Sequence, residues 1–238
     1  MKIKGIKIDE DVAKILNEQD NDFPEGSFAA WYGEDLTGQT YKGSLSCSHE
    51  NLTSLFGCPS TVRGHFDCSH NELTSLEGAP EKVGKGFYCY DNKLTSLEGA
   101  PKEVGESFNC SYNQLTSLKG APTEVEGHFD CSYNELTSLK GAPKEVRDYF
   151  ICSYNKLTSL EGAPEKVRDD FDCSDNYLTS LKGAPKEVGG DFSCLDNQLT
   201  SLEGSPKEVG GHFDCSYNQL TSLEGIGEVK GEIYSDID

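Results

Sequence analysis

A cysteine every 21 residues is the feature that most restricts what this chain can fold into. Cys47, Cys68, Cys89, Cys110, Cys131, Cys152, Cys173, Cys194 and Cys215 keep that interval without a break, and only Cys58 falls outside it. The neighbouring residues recur with them as FxCSxNxLTSLxGAPxxVxxx, written out in full as FDCSHNELTSLEGAPEKVGKG from Phe66 to Gly86. A fixed period of this length means stacked structural units, so the fold is read from one unit and its neighbours. Nine copies span residues 44–225, after a non-repetitive stretch at 1–43. Residues 226–238 hold a truncated tenth copy, with Ile233 in the Phe place and Ser235 in the Cys place.

Within a copy, F-x-C alternates inward and outward with a period of two, as a half-buried strand does, and the two Leu three apart enclose a polar Thr-Ser. Gly-Ala-Pro is a turn signal that ends any helix, and the Val before the next strand returns an apolar side chain to the interior. One copy cannot bury enough apolar surface to fold by itself. Stacked copies bury continuous columns of Val, Phe, Cys and two Leu, so stability comes from the interfaces between neighbours. The expected architecture is a repeat solenoid of short strands and irregular returns, with one short N-terminal helix.

These residues resemble the leucine-rich repeat proteins, whose LxxLxLxxNxL pattern is met with Phe and Cys in the second and third apolar places. The wording CSxNxLTSLxGAP resembles the short repeats of bacterial and bacteriophage-encoded members. The resemblance implies that Asn71, Asn92, Asn113, Asn134, Asn155, Asn176, Asn197 and Asn218 bond backbone groups of adjacent turns, which suits an amide placed at a bend. The first copy departs from the pattern: CSHEN puts Glu50 in the Asn place, and an irregular turn is expected there.

Nine cysteines in a column suggest a metal track or a disulfide framework, but neither fits the spacing. Adjacent parallel strands lie about 4.8 Å apart with side chains side by side, whereas a disulfide needs Cβ atoms about 3.8 Å apart and turned toward each other. The interval also lacks the close CxxC pair of a zinc site, so the ladder reads as small, buried, reduced hydrophobes. Cys58 is placed in a turn. His65, His128 and His212 share a repeat position but stand three or four copies apart, too far for one ion or one catalytic set. No nucleophile, base and orienting acid are presented together, and no phosphate-binding loop or dinucleotide fingerprint occurs. The chain is therefore read as a non-enzyme with no cofactor and no metal.

Charge narrows the choice of partner. Forty-one acidic residues against twenty-one basic ones give −20, which argues against a nucleic-acid backbone or an anionic membrane. Acidity concentrates on the strand side, where Tyr88, Tyr112, Tyr133, Tyr149, Ile151 and Tyr154 alternate with Asp130, Asp170 and Asp172. Exposed Tyr and Ile form interface hot spots, so these nine residues are the candidate partner-binding surface. The reading is a protein-binding scaffold, a monomer in the cytoplasm, directed at a protein with a basic surface. The alternative is an acidic DNA mimic or inhibitor, of the kind a bacteriophage encodes against a host nuclease or defence protein. At the ends, residues 9–18 are expected to form a helix capped by Asp9, with Phe23, Phe28, Trp31 and Tyr32 covering the first copy. An acidic edge strand closes the other end.

Overall fold

The computed structural model describes residues 23–237. Its regular elements are two-residue strands, two per copy. One series forms a ten-stranded parallel sheet in chain order: β2 (Leu45–Ser46), β4 (Phe66–Asp67), β6 (Phe87–Tyr88), β8 (Phe108–Asn109), β10 (Phe129–Asp130), β12 (Phe150–Ile151), β14 (Phe171–Asp172), β16 (Phe192–Ser193), β18 (Phe213–Asp214) and β20 (Ile233–Tyr234). Equivalent residues pair, Phe129 with Phe150 for example, until the last copy, which is one residue shorter and sets Phe213 opposite Ile233.

The second series lies on the adjoining side. β1 (Thr40–Tyr41), β3 (Thr61–Val62), β5 (Lys82–Val83) and β7 (Glu103–Val104) form a four-stranded parallel sheet. β9 (Glu124–Val125), β11 (Glu145–Val146), β13 (Lys166–Val167), β15 (Glu187–Val188), β17 (Glu208–Val209) and β19 (Glu228–Val229) form a six-stranded one. The described residues thus form a parallel-strand repeat solenoid with almost no helix. Sequence reading supplied one strand per copy; the second is too short for its alternation to register, and it exists because identical offsets bring each x-Val beside the next.

Phe, Cys, both Leu and Val of every internal copy are buried. Phe66, Phe87, Phe108, Phe129, Phe150, Phe171, Phe192 and Phe213 form one interior stack, with centroids 5.1–5.7 Å apart. Each such contact is worth about 0.5–1.5 kcal/mol beyond area burial. All ten cysteines are free and buried. Cys suits its column because it is small and its Sγ–H reaches the next coil's carbonyl, as Cys173 does to Ser193 at 3.2 Å. Cys58 stands in the expected turn, in the Ala place of Gly-Ala-Pro, with its side chain inward and only 4% exposed.

The asparagines form a second ladder. Asn134 Nδ2–H donates to Cys110 O (3.1 Å), Cys131 O (3.2 Å) and Ser132 O (3.0 Å), while its Oδ1 accepts from Leu115 N–H at 2.9 Å. In the first copy, where Glu50 replaces Asn, Asn51 takes a left-handed φ of 56° and Asn71 Oδ1 accepts from both Glu50 and Leu52. The Gly-Ala-Pro glycines turn the chain back. Gly120 has φ 97°, and a Cβ there would lie 2.4 Å from Leu97 O, so both conformation and space demand glycine.

The expected helix at 9–18 lies outside the described residues. A five-residue helix, α1 (Phe28–Tyr32), stands where sequence reading placed only interrupted aromatics. Ser27 Oγ caps it from Ala30 N–H at 3.2 Å, and Gly33 ends it at φ 86°. Phe28 N–H donates to Ser54 O and Leu36 N–H to Gly57 O, which holds buried Phe28 and Leu36 over the first coil. At the other end, among the described residues, Leu220, Leu223, Ile226 and Val229 are half-buried and Ile233 is exposed. Asp236 accepts there from Tyr217 N–H, a bond that a following coil makes elsewhere. Among the described residues no helix is long and apolar enough to cross a membrane.

Candidate partner-binding face

The ten-stranded sheet sorts its outward side chains into columns, one member per coil. The column after each Phe holds Tyr88, Asp130, Ile151 and Asp172, all half-buried. Asp130 Oδ1 accepts from Ser132 N–H (2.9 Å) and Oγ–H (2.6 Å), and Asp172 Oδ1 accepts from Ser174 N–H (2.9 Å). These two carboxylates close the bend after the strand, so they serve the fold as well as the face. Ile151 stands in register between them. Burial raises the Tyr88 phenol above its usual range, helped by Glu106 and Asp67.

The column before each Phe holds Tyr149 and Asp170. Tyr149 lies 6.4 Å from the His128 ring, and the charges of Asp148 and Asp169 raise its phenol. Asp170 accepts from Asp191 N–H at 2.7 Å, and burial raises its carboxyl.

The third column, two residues past each Cys, is the most unusual. His49, His70, Asp91, Tyr112, Tyr133, Tyr154, Asp175, Asp196 and Tyr217 all adopt left-handed φ between 49° and 60°. The conformation turns each N–H toward the next coil, as Tyr133 N–H to Ser153 O at 3.1 Å. Tyr112, Tyr133 and Tyr154 stack face to face, both centroid separations being 4.2 Å at 9° between planes. They are 52%, 39% and 46% exposed. His49 and His70 stack likewise at 4.1 Å, and His70 Nδ1 meets Asp91 Oδ2 at 2.6 Å.

Of the aromatic and apolar candidates, the structure joins Tyr112, Tyr133 and Tyr154 into one surface and sets Tyr149 and Ile151 in the two other columns of the same face. Sequence reasoning missed Asp175, Asp196 and Tyr177. The shared phase of Asp175 and Asp196 with the tyrosines was visible, but the left-handed backbone that sets this column apart was not.

Beyond the end of the stack lies a cleft of about 370 Å³ lined by Tyr154, Asp175, Tyr177, Asp196, Lys156 and the floor asparagines Asn134, Asn155 and Asn176. Burial raises the Asp175 carboxyl, and the Asp196 charge adds to that, while a hydrogen bond from Tyr154 opposes it. Among the described residues no group of three His, Cys, Asp or Glu side chains is placed to hold a metal ion.

No protein-family model matches the chain, and no curated protein matches it. Among solved structures it is similar to YopM from Yersinia enterocolitica WA-314, at 16% identity and a TM-score of 0.32, over 94% of this chain and 73% of that one.

Proposed function

We propose that this chain is a non-enzymatic protein-binding scaffold whose contact centre is the Tyr112–Tyr133–Tyr154 stack. The observation that carries this reading is three large, exposed rings at left-handed positions. A non-glycine residue pays about 1–2 kcal/mol there, and Asn or Asp is better tolerated than a bulky ring. The same backbone is built with Asp at 91, 175 and 196 and with His at 49 and 70, so the solenoid does not need Tyr. Ring stacking returns about 0.5–1.5 kcal/mol for each of the two pairs, less than the strain at three positions, so stability gives no reason for choosing Tyr. Tyr supplies large contact area with few rotors to freeze, and one or two such anchors commonly carry about 2 kcal/mol or more each.

Tyr149 and Ile151 extend the surface, Tyr88 flanks it, and Asp130, Asp170 and Asp172 surround it with negative charge. The net charge of −20 supports a partner with a basic surface, approached by a monomer in a reducing compartment. The test starts with identifying a partner by capture on native protein, then compares variants. Y112N/Y133N/Y154N keeps a residue suited to the left-handed backbone, so it should retain the native melting temperature within a few degrees yet bind at least tenfold more weakly. Changing Lys102 and Glu103 to Ala on the second sheet should leave binding unchanged. Undiminished binding by the triple variant, or displacement of the partner by duplex DNA, would place the function elsewhere.

A further inference from the structure

The tyrosine stack ends at Tyr154, beside the cleft. Tyr133 covers one ring face of Tyr154 at 4.2 Å, but the next member of the column is Asp175, too small to cover the other. Tyr177, half exposed, lines the same cleft. Asp175 and Asp196 occupy successive coils of the same column and enter no ion pair among the described residues. Lys156 also borders the cleft, but its ammonium pairs with Glu135, so the two carboxylates remain locally uncompensated. Asp175 takes a hydrogen bond from Tyr154 but no counter-charge, whereas elsewhere on this face Asp91 meets His70, Asp130 and Asp172 accept from Ser132 and Ser174, and Asp170 accepts from the Asp191 amide.

We infer that the cleft between Tyr154 and Tyr177 is a receptor for an arginine side chain of the protein partner, its guanidinium held by Asp175 and Asp196. This rests on the protein-binding reading and adds the chemistry of the group bound. Arginine fits better than lysine for two reasons. Its planar fork can present separate edges to carboxylates one coil, about 4.8 Å, apart. Its flat, weakly hydrated cation stacks on a phenol ring, which an ammonium does less well. The Asp175 carboxyl is raised first by burial and then by the neighbouring Asp196 charge, which a bound cation would relieve.

The test uses N-acetyl-arginine amide as probe and its citrulline counterpart, the neutral isostere, followed by NMR of the tyrosine ring signals of the whole chain. Arginine amide should shift Tyr154 and Tyr177 saturably while citrulline amide shifts neither. D175N/D196N, which keeps side chains suited to the left-handed backbone, should weaken the arginine response at least tenfold. E124Q/E145Q removes the same charge from the second sheet and should leave it intact. Equal shifts with citrulline, equal loss in both variants, or no saturable shift at these rings would overturn the inference. If the partner still requires the Tyr stack when the cleft takes no arginine, only this inference fails. If arginine seats in the cleft while Y112N/Y133N/Y154N binds the partner normally, the error lies in the choice of the stack as contact centre.

Discussion

Asn134 shows how much one side chain carries in this architecture. It satisfies three carbonyls and one amide, drawn from its own coil and the one before, all in the interior. Asn134→Ala would leave these groups without partners, and a buried unsatisfied polar group costs about 1–3 kcal/mol. We expect a loss of about 3 kcal/mol or more, read as a lower urea midpoint, while Gln114→Ala on the exposed side of a neighbouring bend should cost less than about 0.5 kcal/mol. The thiols behave as a set. Burial pushes Cys47 up to about 12, with Asp67 and Glu50 adding to it, and Cys215 up to about 11. Since the thiolate is the reacting form, native protein at pH 8 should be labelled slowly at all ten positions, Cys58 included. Cys215, in the last of the nine copies, should react first. Rapid modification of a central cysteine such as Cys131 would contradict the closed core.

At the scale of the element, the second sheet shows what a side chain does where two coils approach closely. The residue after each Val is Gly at 84, 105, 189 and 210, and there its N–H reaches the preceding coil's Val O at 2.8–3.0 Å. A Cβ at Gly84 would stand 2.2 Å from Arg63 O, and one at Gly210 would stand 2.0 Å from Gly189 O. Among larger residues at this place the bond varies: Arg63 and Lys230 make it at 3.0 Å and Arg147 at 3.3 Å, while among the described residues Glu126 and Arg168 make none. The break between β7 and β9 falls at Glu126, where this bond is missing. Amide hydrogens of Glu126 and Arg168 should exchange faster than those of Gly105 and Gly189. Glu126→Gly should slow exchange across the junction and join the two sheets; unchanged exchange in that variant would mean that the split has another cause.

At the scale of the whole molecule, ten buried thiols make the fold sensitive to alkali. A thiol whose pKa is raised by folding is favoured in its neutral form, so its contribution is complete below the unfolded value of 9.0 and is lost as pH rises toward the folded value. In that window each thiol removes about 1.4 kcal/mol of stability per pH unit. Acting together along one column, they should collapse the solenoid within about a unit above pH 9, with no such loss expected through neutrality. Urea midpoints at pH 7, 8, 9 and 10 test this, and a flat profile through pH 10 would refute it.

The period of 21 determined most of the fold before any coordinate was known, because equivalent residues in a strict repeat must stack on their equivalents. From it follow the Phe, Cys, Leu and Val columns, the parallel strands and the turn at Gly-Ala-Pro. A repeat also shows which residues share a position, and so it exposed the row containing Tyr112, Tyr133 and Tyr154. It could not show that this row is left-handed, since His, Asp and Tyr there carry no glycine signal; hydrogen bonds to the next coil impose that backbone. Nor could it show that the Ala place holding Cys58 faces inward, that x-Val pairs into a second sheet, or that the row ends beside Tyr177 in a carboxylate-lined cleft. Those features arise where neighbouring coils meet, and the distance between coils is a property of the stack that no single copy contains.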